Sequence, residues 1–320
     1  GVHELEIGIP AMGEDEVATM RSIARLGLEV RLTAWCRAVH HDIEAAARCE
    51  VSAIHLSLPV SPVQIKALGK SPRWVLDSLG ACVDTASRYF NYISIGAQDA
   101  SRADSAFLRR FVVEAVNLGV DRVRLADTVG VLSPLRTQDM VGDLYKLSLP
   151  IEIGFHAHND LGMATANTVT ALATGADCAD VTVLGIGERA GNAALEQIAM
   201  AAEIGHVSNL RIDCSGLSDL CHFVADAAPV TIPDDRPIVG QGIFRHESGI
   251  HVDAIRRDPT TYEPFSPEKT GHAGREIRLG KHSGSRAVQL VMEESLGVAV
   301  DRHTAERMLC ELRKSFTDCD

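Results

Sequence analysis

The sequence predicts an α/β fold, a (β/α)8 TIM barrel with a smaller C-terminal subdomain, and three observations carry that expectation. Short apolar runs with strand character alternate with helix-like segments as far as about Glu203. Most of these runs end in polar or special residues: Ile9-Pro10, Trp35 to Arg37, His55, Gln98-Asp99, Asp127-Thr128, His156 to His158, and Gly185 to Asn192. In a barrel such strand ends form one rim, and their convergence favours an active site over a set of isolated turn devices. The competing architecture, an open doubly wound sheet, is disfavoured because no G-x-G-x-x-G follows a strand.

The elements follow in order. His3 to Ile9 precedes a helix at Glu14 to Leu26, and Val30 to Cys36 precedes one at Asp42 to Arg48. Ala53 to Leu58 leads into a long helical region, Pro72 to Tyr89, and Tyr92 to Ala97 leads into Ala103 to Leu118. The pattern continues with Arg122 to Asp127, Leu135 to Leu147, Ile151 to His158, and a strand at Asp180 to Ile186 with its helix. This makes about seven βα units where a closed barrel needs eight, so the expectation is that a first unit lies before Gly1. Residues 1–206 form the expected catalytic barrel. Residues 207–242, including the Pro/Gly-rich stretch Pro229 to Gly242, form a linker region, and 243–320 a C-terminal subdomain. Helices are expected at Asp213 to Ala228, Arg286 to Glu294 and Thr304 to Phe316.

Composition limits the function classes. The chain has 320 residues, 46% of them apolar and only 4% aromatic, enough to bury a large core. No apolar run reaches the ~18 residues of a membrane span, and no secretory signal is visible, so a cytoplasmic protein with no membrane partner is expected. A net charge of −12 opposes non-specific binding to nucleic acid. The eight cysteines form no C-x-x-C pair, and Cys36, Cys82 and Cys178 fall in apolar segments, which fits free thiols in a reducing compartment.

The stretch IEIGFHAHNDL, Ile151 to Leu161, is the chemical focus. Apolar Ile151, Ile153 and Phe155 mark a buried strand, and the two-residue period puts His156 and His158 on one face at its C-terminal end. Two imidazoles at that spacing converge on a metal ion, the alternative being hydrogen-bonded histidines without a ligand.

Six motifs together resemble one family: ELEIGIPAMGEDE (Glu4 to Glu16), DTVG (Asp127 to Gly130), HAHNDLGMATAN (His156 to Asn167), GERAGNAALE (Gly187 to Glu196), HESGIHVDAI (His246 to Ile255) and LGKHSG (Leu279 to Gly284). They are similar to the acetyl-CoA-dependent Claisen-condensing barrels, the homocitrate, isopropylmalate and citramalate synthases. AWCR (Ala34 to Arg37) and LGKHSG most resemble the nitrogen-fixation branch of the homocitrate synthases. The resemblance implies condensation of acetyl-CoA with a 2-oxo acid, 2-oxoglutarate giving homocitrate for the nitrogenase iron-molybdenum cofactor. 2-Oxoisovalerate and pyruvate are rival acceptors. It implies a homodimer and a divalent ion, magnesium, manganese or zinc, held by His156 and His158 with Asn192 at or beside it. Thr128 would bind the substrate carboxylate, or else cap the next turn. His251 would act as the catalytic base across the dimer interface. Glu188 would orient a partner, or else serve a helix N-terminus. His55, expected at its strand end, would line the acceptor pocket, or else pack against a helix. Two departures from the family stand out. Gln98 replaces a glutamate, and the opening Arg-Asp-Gly strand, with a metal carboxylate and a substrate-clamping arginine, is expected upstream of Gly1. Other readings on the same barrel are a metal-dependent aldolase or lyase and a non-catalytic assembly protein.

Overall fold

The computed structural model describes residues 2–205 and 212–315. The expected domain limit at residues 206 and 207, and the end of the helix expected at Thr304 to Phe316, lie outside the described residues. The chain divides into two compact units, Gly1–Ile212 and Asp213–Asp320.

Among its described residues the first unit holds seven strands: β1 (Glu4–Gly8), β2 (Arg31–Arg37), β3 (Ala53–Pro59), β4 (Tyr92–Gln98), β5 (Arg122–Asp127), β6 (Glu152–Ala157) and β7 (Cys178–Asp180). They form one parallel sheet in sequence order. Between them run α1 (Glu14–Ala24), α2 (His40–Ala47), α3 (Pro62–Ala67), α4 (Pro72–Ala86), α5 (Ser105–Asn117), α6 (Pro134–Tyr145) and α7 (Ala164–Thr174), and α8 (Leu195–Gly205) follows β7. The helices start where the sequence supplies a cap: Ser61, Ser71, Asp104 and Ser133 each accept the amide of the third residue beyond. In three of them proline follows the cap, where its missing N–H costs nothing.

Side-chain contacts show that this sheet is curled. Glu4 of β1 reaches Arg122 of β5 at 3.0 Å, and Glu6 reaches Arg124 at 2.9 Å. On a flat sheet those strands would stand about 19 Å apart, four spacings of ~4.8 Å. The wall is that of a TIM barrel. Leu32, Ala34, Ile54, Leu56, Ile95 and Phe155 alternate outward into the core beneath the helices. The inward positions are polar instead, with Arg122 and Arg124 7% or less exposed and His55 at 2%.

Two elements differ from expectation. The strand expected at Asp180 to Ile186 is shorter and earlier: β7 is Cys178–Asp180, and Val183–Gly185 is a 3-10 turn. Leu184 and Gly185 adopt φ of 59° and 64°, which an extended strand does not allow. The short helix α3, too brief to show a period, precedes the long helical region.

The second unit holds α9 (Leu217–Ala227), β8 (Arg245–His246), α10 (Gly249–Arg257), β9 (Glu276–Ile277), α11 (Ser285–Leu296) and α12 (Arg302–Ser315), with β8 and β9 paired in parallel. Val252 of α10 packs with Ala287 and Leu290 of α11, and Val288 on another side of α11 packs with Ala305 and Leu309 of α12. Gly249 and Gly284 let two backbones meet, since a Cβ on Gly249 would lie 2.9 Å from Gly284 Cα.

Candidate active site

His156 and His158 emerge from the end of β6 on one face, and their Nε2 atoms stand 3.2 Å apart with the rings nearly perpendicular. Two nitrogens bound to one ion at ~2.0–2.1 Å, with an angle between square and tetrahedral, are separated by about 2.9–3.4 Å. The pair is therefore spaced as two ligands of one metal. Burial, helped by Arg124 and the neighbouring imidazole, pushes His156 down to about 3. Burial and Arg189 also lower His158. Both rings are neutral near pH 7, the form in which imidazole ligates.

The segment from Gly185 to Asn192 brings an amide beside the pair. His158 forms an isolated antiparallel bridge with Asn192, and Asn159 N–H donates to the Gly191 carbonyl at 2.9 Å. The Asn192 amide donates through Nδ2 to the Ile186 carbonyl at 3.1 Å, while its Oδ1 is buried with no hydrogen-bond partner. Gly187 makes room for this amide, because a Cβ there would lie 2.4 Å from Nδ2. A buried carbonyl oxygen without a donor is costly unless a cation meets it. Among the described residues no group of three or more His, Cys, Asp and Glu side chains is arranged to hold a metal. The donors present are two imidazoles and one amide oxygen, a set that accepts magnesium, manganese or zinc.

Behind His156, the Asp180 carboxylate lies 3.7 Å from Nδ1 and is ion-paired with Arg124, which also pairs with Glu6. The fully buried Arg124 is thus set between two carboxylates on the inner wall. Sequence reading missed these groups. Their signal is the Arg-Val-Arg alternation of β5, which points two cations at a barrel interior.

The other expected residues are placed as follows. Thr128 directly follows β5, and its Oγ1 accepts the Asp99 N–H at 2.8 Å, so its own hydrogen is available to another acceptor. His55 is the third residue of β3, mid-strand rather than at the strand end, because β3 runs on through Pro59. Its Nδ1 is 2.9 Å from Ser94 Oγ, and burial lowers its pKa well below 6.5. Glu188 lies in the turn before Asn192 rather than at a helix N-terminus; its side chain is 85% exposed and its carboxylate is 3.6 Å from Arg189. Gln98 ends β4, half-buried. In the second unit His251 lies on α10, stacked on Tyr262 with ring centroids 3.9 Å apart. Nearby, Glu247 accepts His282 N–H at 2.9 Å, and Gly280 makes room for its carboxylate, which fastens LGKHSG to HESGIHVDAI.

A parallel barrel wall whose rim gathers two histidines and an asparagine has the arrangement of a barrel enzyme's active-site face. Comparison with known proteins narrows the class. The model described as "HMGL-like" matches residues 1–224, and that described as "Homocitrate synthase post-HMGL domain-like" matches residues 238–318. A 2-isopropylmalate synthase of Caldanaerobacter subterraneus is 43% identical over 98% of this chain and 81% of its own length. A homocitrate synthase of Frankia alni is 43% identical over 92% of this chain and 84% of its own length, and one of a Nostoc species is 41% identical over 98% and 83%. Among solved structures, HMG-CoA lyase of Bacillus subtilis superposes with a TM-score of 0.63 at 20% identity, covering 73% of this chain and 84% of that one. The chain belongs to the HMGL-like family, in its acyltransferase branch with a homocitrate synthase post-HMGL domain. No helix among the described residues is long and apolar enough to cross a membrane.

Proposed function

We propose that the chain is a homocitrate synthase: acetyl-CoA, 2-oxoglutarate and water give homocitrate and CoA, and the product serves nitrogenase iron-molybdenum cofactor assembly. The observation that carries this reading is the His156–His158 pair, 3.2 Å between nitrogens and bridged to Asn192, in a chain 43% identical to a homocitrate synthase. His156, His158 and the Asn192 oxygen would hold the divalent ion. The chemistry such an ion supplies is Lewis-acid polarisation of the acceptor ketone.

The chain's own residues do the remaining work. Thr128 donates its free hydroxyl hydrogen to the 2-oxo acid carboxylate, its oxygen being held by Asp99 N–H. The neutral His55, held by Ser94, stands buried in the inner wall behind the acceptor pocket. Glu188, exposed at the rim, orients a partner group. His251, contributed by the second copy of a homodimer, removes a proton from the acetyl methyl group. An imidazole can serve as a general base, and Tyr262 fixes the ring plane. The new carbon–carbon bond forms between that methyl carbon and the ketone carbon, and water then releases CoA from the thioester. The thiols of Cys36, Cys49, Cys82 and Cys178, none in a disulfide, fit a cytoplasmic setting.

A second reading, with 2-oxoisovalerate as acceptor, is favoured by the 43% identity to a 2-isopropylmalate synthase. CoA release measured with a panel of 2-oxo acids separates the two. Turnover with 2-oxoglutarate at least tenfold above the branched and short acids is expected; a preference for 2-oxoisovalerate or pyruvate replaces the acceptor, and no CoA release with any of them removes the synthase reading.

A further inference from the structure

One side chain outside the ligand set touches three of the rim segments. Arg189 donates from Nε and Nη2 to the two Asp160 oxygens at 2.7 and 2.9 Å, and from Nη2 to the Thr128 carbonyl at 2.8 Å. Asp160 follows His158, Thr128 follows β5, and Arg189 lies three residues before Asn192. The guanidinium therefore joins the segment behind the histidine pair, the segment that carries the Thr128 hydroxyl, and the segment that presents the amide oxygen. Space is made for it: Gly130 lies against Asp160, where a Cβ would come within 2.5 Å of Oδ2. Arg189 also adopts φ of 56°, a left-handed conformation uncommon for a residue with a side chain, at the point where the turn must aim this side chain back across the rim.

The clamp has a chemical requirement. A planar guanidinium can grip a carboxylate with two parallel N–H bonds and keep a further N–H for a carbonyl; an ammonium offers one charged point. We infer that Arg189 is a positioning residue that locks Thr128, His158 and Asn192 into one arrangement, so that the 2-oxo acid and its metal meet a preformed site. Backbone pairing links the segments only near the strand ends: His158 and Asn159 pair with Asn192 and Gly191, and His158 N–H donates to the Asp127 carbonyl at 3.3 Å. Arg189 adds a side-chain tie beyond the end of β5, at the Thr128 carbonyl itself. The inference rests on the synthase reading only for its kinetic consequence; the clamp itself is readable without turnover.

The test uses the full chain with Arg189→Gln, Arg189→Lys and Asp160→Asn. Amide hydrogen exchange across residues 128–131 and 187–192 is expected to speed up at least tenfold in Arg189→Gln, with the melting transition of the unit kept. Mn2+ titration, with the metal alone, is expected to show at least tenfold weaker binding, and the KM for the 2-oxo acid to rise at least tenfold while kcat changes less than threefold. Lysine should rescue little. If Arg189→Gln does not fold, Asp160→Asn, which removes one anionic partner and leaves the carbonyl contact, carries the same three readouts. Unchanged exchange in these segments, or full rescue by lysine, overturns the clamp. Faster exchange with unchanged Mn2+ affinity and KM overturns its positioning role. Absence of Mn2+ binding by the unsubstituted chain instead defeats the metal reading and leaves the exchange result to judge the clamp.

Discussion

His55 illustrates what the barrel interior does to a titratable group. The ring is 2% exposed, hydrogen-bonded to Ser94, and disfavoured as a cation first by burial and then by Arg124. Its folded pKa lies below 6.5 while the unfolded chain keeps the ordinary value. The unfolded chain therefore binds a proton that the folded chain refuses. The stability this group contributes is complete above pH 6.5 and falls away as pH drops toward the folded pKa. Urea denaturation at pH 7.0, 5.5 and 4.5 should show stability falling more steeply for the parent chain than for His55→Gln. The difference should approach 1.4 kcal/mol per pH unit, on the order of one proton. Parallel pH dependences would mean that His55 is protonated in the fold.

At the scale of elements, β3 and β4 are matched through a missing side chain. Ser57 pairs with Gly96 in register, and a Cβ on Gly96 would lie 2.7 Å from His55 Nε2 and 3.1 Å from Cε1. The histidine thus fills the space a residue on the next strand gives up. Gly96→Ala should cost about 1–3 kcal/mol, the usual range for overpacking a filled interior. In a His55→Ala background the same substitution should cost less than half as much, because the obstructing ring is gone. Equal costs in the two backgrounds, measured by chemical denaturation, would show that the strand pair itself, not the ring, rejects a side chain at Gly96.

For the whole molecule, the proposed mechanism divides labour between the two units, with the ligand pair in the first and His251 in the second. If His251 acts in the neighbouring copy, a subunit carrying His251→Ala and one carrying His156→Ala each hold half of the machinery. Mixing them under conditions of proven subunit exchange should restore up to about a quarter of parental activity, since half the dimers are mixed and each has one complete site. A mixture no more active than its components would place His251 in its own subunit's site or outside catalysis.

The βα alternation, and with it the seven strands, could be read in the chain because each strand is an apolar run broken by turn residues, and such local patterns survive without knowledge of partners. The His156–His158 pair was legible for the same reason, since a two-residue period is a local property. Asn192 came only through motif resemblance, because its role depends on an amide turned by Ile186 and Gly187. Arg189, Arg124 and Asp180 were not legible. Each acquires its meaning from a contact across strands or segments tens of residues away: Arg189 with Asp160 and Thr128, Arg124 with Glu6. Likewise Leu184 gives no local sign that it adopts a positive φ and ends the apparent strand early. Sequence by itself determined what depends on neighbours along the chain: the strand and helix rhythm and the two imidazoles on one face. Tertiary structure alone decided the curl that brings β1 within ion-pair distance of β5, and hence the charges behind the histidines, since charge pairing acts through distance in space and not through order in the chain.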